Sequence, residues 1–271
     1  MGRVARVARV AARALLIVVF LAPVAFMVLG SLRTPGGAPG RGLPVVPEGV
    51  AAYRELAARI PLGHLLRNSL LVTFVAVPVT VVLASWAGFA IAQLSDRARR
   101  RAVAFAVVLL LLPVPVVWVP RFAAYVRLGV LDSFVPLVAP ALAATTPFTV
   151  LLAYRAFRRV PRDLFDAARL EGAGALTTWW RVGVPLTAST TTAVAALAFA
   201  AHWGSYLDAL LYVHTPAHRT LPLGVGELAG LDPADFPILL AGAVVLTVPP
   251  LAALALVQRR LLGAVDVATD R

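Results

Sequence analysis

Apolar and polar positions along the chain sort into six long apolar runs separated by shorter polar stretches. The runs are Ala14–Leu32, Ser69–Ala92, Ala102–Val119, Phe134–Tyr154, Val184–Val213 and Pro237–Val257. Each meets or exceeds the roughly 17–25 residues an α-helix needs to cross the hydrocarbon of a bilayer. None shows the period-two alternation of a membrane barrel strand. The pattern predicts an all-α integral membrane protein with six transmembrane helices. The fifth run is longer than a crossing needs, so its ends are expected in the interfaces.

Charge orients these runs. All 25 basic residues are arginine, against 13 acids, for a net charge of +12. With an N-terminus inside and six crossings, the inside segments hold Arg3, Arg6, Arg9 and Arg13, then Arg97 and Arg99 to Arg101. They also hold Arg155, Arg158, Arg159, Arg162, Arg169 and Arg181, then Arg259, Arg260 and Arg271. That is 17 inside and 8 outside, while the acids divide 6 to 7. Basic inside loops set membrane orientation. Both termini are expected in the cytoplasm of a cell that holds the chain in its inner or plasma membrane. The basic start before an apolar run resembles a secretory signal. No small-x-small cleavage site follows in Ser31–Gly42, so the run is read as an uncleaved helix.

Composition agrees. Hydrophobic residues make up 60% of the 271, charged residues 14%, and mean hydropathy is +0.86. Soluble domains average about 25% charged. The sequence contains no cysteine, which excludes disulfides and thiol chemistry. His64, His202, His214 and His218 lack metal-ligand spacing, because Pro216 interrupts any helix that would align the last pair. No metal site, catalytic residue or nucleotide-binding loop of the G-x-x-x-x-G-K-[ST] type is found. Scattered Ser85, Ser189 and His202 make no hydrolytic constellation.

Three domain-level segments are expected. Residues 1–66 hold the cytoplasmic N-terminus, the first transmembrane helix and an outer loop. Residues 67–260 form the transmembrane core with a cytoplasmic loop at 156–185. Residues 261–271 form a cytoplasmic tail. Within the first, Gly36–Pro47 reads as an extended outside loop, and "PEGVAAYRELAARI" as a short amphipathic helix lying on the outer surface. Prolines recur in the runs at 23, 78, 113, 115, 136, 140, 147, 249 and 250. Each removes a backbone donor and can kink a helix.

The loop carries the most pattern. "VPRDLFDAARL" predicts a helix over Arg162–Leu170, with Pro161 and Asp163 suited to its start. Leu164, Phe165 and Ala168 share a face. Glu171–Gly172 breaks the helix, glycine accepting the positive φ of a sharp turn. A second short helix is expected over about Ala175–Val182, with Trp179 and Trp180 in the interface. Pro185 marks the entry to the fifth run. Chemistry alone leaves two readings open: an interfacial connector, or a knob that a cytoplasmic partner grips.

These residues resemble a family. "DAARLEGA" followed by "WWRVGVPL" looks like the coupling-loop motif of ABC-importer permeases. Ala167, Ala168, Gly172 and Ala173 match it, as do Pro185 and Leu186. Asp166 stands where the family has Glu, and Glu171 where it has Asp. "RNSLLVTFVAVPVTVVLASWAGFAIAQL" resembles the span that opens the permease core. The stretch Leu111–Ala143, with its Leu-Gly-Leu-Asp-like segment, and "RTLPLG" at Arg219–Gly224 resemble the carbohydrate, maltose-type branch. The resemblance implies a type-1 ABC importer permease fold and a sugar or oligosaccharide as solute. It implies a second homologous permease as heterodimer partner, two ATPase subunits and an extracytoplasmic solute-binding protein. ATP would bind those ATPases, with no cofactor in this chain.

One region departs from the family. Where Trp-Asn-Asp-Phe is common, this chain has Trp203, Gly204, Ser205 and Tyr206, with an acid only at Asp208. Trp203, Gly204, Tyr206 and Asp208 are candidates for the translocation path. Their alternatives are interface anchors for the aromatics and a solvated outer position for Asp208. Gly204 either brings backbones together or unwinds the helix. Two other readings stay in play: a permease for another solute, and an ion-driven secondary transporter. The latter requires paired ionisable residues inside the membrane, and the six runs hold almost none.

Overall fold

The computed structural model describes residues 2–36, 48–230 and 232–269, with side chains for 6, 10–36, 48–230 and 232–256. Among these residues every regular element is a helix. In order the helices are α1 (Gly2–Ser31), α2 (Ala51–Arg59), α3 (Leu62–Gln93), α4 (Asp96–Leu110), α5 (Val114–Arg127), α6 (Val135–Val138), α7 (Pro147–Arg159), α8 (Arg162–Leu170), α9 (Ala175–Thr178), α10 (Val184–Leu186), α11 (Ala188–Trp203), α12 (Tyr206–Tyr212), α13 (Leu221–Gly226) and α14 (Phe236–Thr269). Four stretches are long and apolar enough to span a membrane: Val10–Ser31, Leu62–Gln93, Val135–Arg159 and Pro233–Leu256. Two bent pairs raise the number to six when each counts as one span.

Two compact units divide the chain. The first comprises Met1–Leu65 and Leu223–Pro249. Here Gly30 lets Leu240 sit against the end of α1, and the Ser31 and Tyr53 hydroxyls lie 2.8 Å apart. Arg59 reaches Asp235 at 2.9 Å. The short amphipathic helix expected on the outer surface is α2, but its apolar stripe turns into the protein. Ala52 and Leu56 are fully buried, so protein rather than lipid covers that face. Residues 37–47 of the expected outer loop, and the side chains of the expected 261–271 tail, lie outside the described residues.

The second unit comprises Leu66–Pro222 and Pro250–Arg271. In it, only some prolines do what their chemistry permits. Pro78 sits inside a continuous α3. Pro113 instead starts a new helix in extended backbone, with φ −61° and ψ 131°. The run expected as one helix over Ala102–Val119 therefore becomes α4 and α5, bent by 90°. Their 15 and 14 residues give arms of roughly 21–22 Å each, too short to cross about 30 Å of hydrocarbon alone. The Val184–Val213 run likewise resolves into α10, α11 and α12. The helices before and after Thr187 meet at 88°, and Gly204 separates α11 from α12.

The fourth run is interrupted too. Ala144 and Thr145 take left-handed backbone, at φ 53° and 62°. Non-helical backbone at membrane depth must find partners inside the protein. The Thr149 hydroxyl donates to the carbonyls of Ala144 at 2.6 Å and Thr146 at 2.7 Å. Thr145 Oγ1 lies 2.9 Å from His202 Nε2 and 2.6 Å from Thr80 Oγ1. Helix contacts in lipid rely on close approach rather than on a hydrophobic drive. Gly88 provides one: a Cβ there would come within 2.6 Å of the Tyr154 amide nitrogen and 2.7 Å of the Ala153 Cβ.

Candidate functional site

The segment between α7 and α11 begins with α8, which occupies the expected range Arg162–Leu170. Its end is a Schellman turn. The amide of Ala173 donates to Ala168 O at 2.9 Å, and that of Gly172 to Arg169 O at 2.9 Å. This pattern requires a left-handed residue after the cap, and Gly172 takes φ +81°. Of the expected second helix, α9 covers only 175–178. Trp179 to Gly183 widen into a π-helical turn, a form frequent at functional sites. The segment ends at Thr187, whose amide and hydroxyl both donate to Gly183 O, at 3.1 Å and 2.9 Å.

An aromatic root holds this segment to the ends of α3 and α7. Phe89 meets Phe157 and Phe165 edge to face, with centroids at 5.5 Å and 5.6 Å. Trp86 meets Trp179 edge to face at 5.2 Å. Such pairs contribute about 0.5–1.5 kcal/mol each beyond area burial. The Trp179 indole N–H donates to Ser85 Oγ at 3.0 Å. At Gly183 a Cβ would come within 2.8 Å of the Phe157 ring. Arg169 adds exposed ties, to Asp166 Oδ1 at 2.9 Å and Gln93 Oε1 at 2.7 Å.

The root decides which motif residues point where. Phe165 and Ala168 are buried with it. Asp166, Ala167, Glu171, Gly172, Pro185 and Leu186 are exposed, and Ala173 is half-buried. Ala168 therefore faces the chain's own core, and of the three motif alanines only Ala167 and Ala173 stay accessible. The pair of interface tryptophans also divides: Trp180 is exposed while Trp179 is core. Leu170 is 90% exposed, an apolar tip where α8 ends. A cavity of about 490 Å³ opens beside α8, lined among others by Asp96, Arg158, Arg162 and Asp166. Hydrogen bonding from Arg99 holds the Asp96 carboxyl below the usual carboxylate range.

The second candidate region spans the end of α11 and the start of α12. Trp203 is 2% exposed and stacks on Phe199 at 5.7 Å. Gly204 ends α11, its amide donating to Ala200 O at 3.1 Å; of its two readings, unwinding is the one observed. Tyr206 is half-buried at the start of α12. Asp208 accepts from Ser205 Oγ at 3.1 Å and faces Arg121 at 3.7 Å. Arg121 lies just beyond the expected end of the third run, at Val119. Because α5 continues to Arg127, it belongs to an apolar helix after all. Sequence reasoning missed this pair, and missed Trp86, Phe89 and Phe157 as the root. The signal available was aromatics three residues apart, Trp86 and Phe89, at the end of a span.

Among the described residues no three His, Asp or Glu side chains gather into a metal site. Residues 80–262 match the family described as binding-protein-dependent transport system inner membrane component. The chain belongs to that family. ORF1 of Streptomyces antibioticus, described as an ABC transporter permease protein, is 34% identical over 78% of this chain and 93% of its own. The sulfoquinovosyl glycerol transport system permease protein SmoH of Agrobacterium fabrum is 28% identical over 94% and 90%. The solved structure of a bacterial ABC transporter involved in import of the polysaccharide alginate is similar at a TM-score of 0.77. It covers 96% of this chain and 98% of its own at 18% identity. The fold is that of a type-1 ABC importer permease. As a member of a binding-protein-dependent transport family, the chain is a multi-pass membrane protein and one component of a larger system.

Proposed function

We propose that this permease is half of the translocation path of an ATP-driven importer for a sugar or oligosaccharide. Its partners are a second homologous permease, two ATPase subunits and an extracytoplasmic solute-binding protein. The Arg162–Thr187 segment couples it to the ATPases. One observation carries this reading: a helix with an exposed edge of Asp166, Ala167, Leu170 and Glu171 is rooted by Phe165 and Trp179 in the ends of two spans. A partner that moves the exposed edge moves those spans with it. The excess of arginine in alternate segments supports a cytoplasmic location for this segment and both termini. Beside α8, Arg158 and Arg162 line a cavity that a partner carboxylate fits by charge. The carbohydrate assignment is supported by relatives such as SmoH. The chain itself carries no chemistry; ATP is bound and hydrolysed by the partner ATPases.

The test is purification of the tagged chain from its host in mild detergent, beside Gly172→Trp. Gly172 has open space around its Cβ position. The variant thus strains the left-handed turn and places an indole on the exposed edge. Wild type is expected to bring an ATPase and a second permease, and the variant to lose the ATPase. A chain that purifies alone, and drives uptake into vesicles from an ion gradient without ATP, would refute the reading.

A further inference from the structure

Arg121 and Asp208 face each other on arms that follow helix breaks. Arg121 stands in α5, beyond the bend at Pro113. Asp208 stands in α12, beyond the break at Gly204. Their side chains keep 24% and 20% exposure. Charged groups in membrane segments turn toward the bundle interior or a water-filled cavity, not toward lipid. Aromatic rings hold the guanidinium in place: its centre lies 5.9 Å from the Tyr125 ring and 5.7 Å from the Tyr212 ring. Its Nε donates to the Tyr125 hydroxyl at 3.3 Å. Tyr212 is fully buried, and its own hydroxyl donates to Trp118 O at 3.3 Å.

The pair is not internally satisfied. Its 3.7 Å separation is too long for a hydrogen bond. Among the described residues, Arg121 Nη2 and Asp208 Oδ1 are buried without a hydrogen-bond partner. A buried polar atom left unpaired costs about 1–3 kcal/mol, more on a charged group. The two side chains, which approach at Arg121 Nη1 and Asp208 Oδ1, thus carry one spare donor, Nη2, and one spare acceptor, Oδ1. A carboxylate ligand would satisfy the arginine and be repelled by the aspartate, and an ammonium ion the reverse. A hydroxyl alone among common solute groups both donates and accepts through one atom.

We propose that Arg121 and Asp208 form a hydroxyl-recognition site on the translocation path, taking one hydroxyl of a neutral polyhydroxylated solute between them. The proposal rests on the carbohydrate reading above and supplies residues for it. Both spare atoms are covered in this conformation, so the solute reaches them when α5 and α12 part. The site selects against anionic and cationic solutes by charge, and against deoxy analogues by leaving its two polar atoms unpaired.

The experiment uses the assembled importer with its binding protein in ATP-loaded proteoliposomes. Uptake of radiolabelled maltose, trehalose, cellobiose and raffinose is measured for wild type, Arg121→Gln, Asp208→Asn and the double exchange Arg121→Asp with Asp208→Arg. Arg121→Lys, which keeps charge but not the fork, replaces Arg121→Gln if that variant fails to assemble. The single variants are expected to raise the half-saturating concentration of the accepted sugar about tenfold or more. The double exchange is expected to assemble and remain defective, because the aromatic seat fits a guanidinium only at position 121. Full recovery in the double exchange would show an interhelical lock instead and overturn the site. Unchanged half-saturation in both single variants would overturn it as well. If wild type accumulates radiolabelled amino acid or phosphate and none of the four sugars, the carbohydrate reading falls and the hydroxyl site with it; unchanged half-saturation for an accepted sugar overturns the site alone.

Discussion

The Arg162–Thr187 segment and the paired arms α5 and α12 belong to one compact unit, and both follow breaks in apolar helices. They are held together very differently. The segment is rooted by five aromatic rings, Trp86, Phe89, Phe157, Phe165 and Trp179, meeting at 5.2–5.9 Å. Its turn satisfies its carbonyls, and its buried indole has a partner. The arms meet across a long ion pair with a spare donor and a spare acceptor. A packed aromatic cluster has one arrangement and transmits displacement; an incompletely satisfied polar contact has partners to gain by opening. On the proposed function, stiffness lies where force would enter and compliance where solute would pass.

The largest effect is expected from removing the root. Phe165→Ala deletes a side chain that is 2% exposed, and losses of this kind cost about 3–5 kcal/mol. The importer should keep its spans but lose the link between α8 and α3, so ATP hydrolysis should stop responding to the binding protein and uptake should cease. Leu170→Ala, at the exposed tip of the same helix, should leave thermal stability unchanged. A Phe165→Ala importer with stimulated hydrolysis and uptake both intact would show that force does not travel through the root.

Much of this contrast was legible before any coordinates. Helix α8, its glycine turn and the apolar runs follow from periodicity, proline and glycine placement, because each is specified within a few neighbouring residues. The root was not. Phe89 lies far from Phe157 and Phe165 in sequence, and the three read separately as span ends and a loop face. Arg121 was hidden differently. A charge after Val119 looks like the end of an apolar run, whereas Pro113 had already ended one helix and α5 had begun another. Ala168 matches the loop motif and Trp203 is a path candidate; both are buried within the chain, which the motif alone does not reveal.

A smaller effect sharpens the same contrast by a single methyl group. Gly88→Ala drives a Cβ to 2.6 Å from backbone of α7, where nothing flexible can yield. Overpacking of this kind costs about 1–3 kcal/mol. Gly204→Ala, at the break before α12, meets only Ala200 O at 3.1 Å and needs no positive φ. Thermal denaturation of the two purified variants should show a clear loss for Gly88→Ala and a much smaller one for Gly204→Ala. Equal losses would mean that the break is as tightly packed as the stiff region, and the division into stiff and compliant parts would fail.

The smallest effect is expected where the two arms end. Asp132, at φ 58°, ties the chain just past α5 to the chain just past α12. Its amide donates to Tyr212 O at 2.9 Å. Its Oδ1 accepts the amides of His214 at 2.8 Å and Thr215 at 2.9 Å, and His218 Nδ1 lies 4.0 Å away. The amide hydrogen bond from Thr215, then that from His214, holds the Asp132 carboxyl below the usual carboxylate range. A lowered folded-state pKa means stability that is full above the unfolded value, about 3.9, and is lost as pH falls through the folded value. Asp132→Asn keeps an acceptor and tolerates left-handed backbone, but does not titrate. Wild type should therefore be the more stable of the two at pH 7 and pH 5, and their thermal midpoints should converge as the pH is taken below about 4. A difference that stays constant down to pH 3 would assign the tie to shape alone and leave the arms without a charge-dependent tether at their tips.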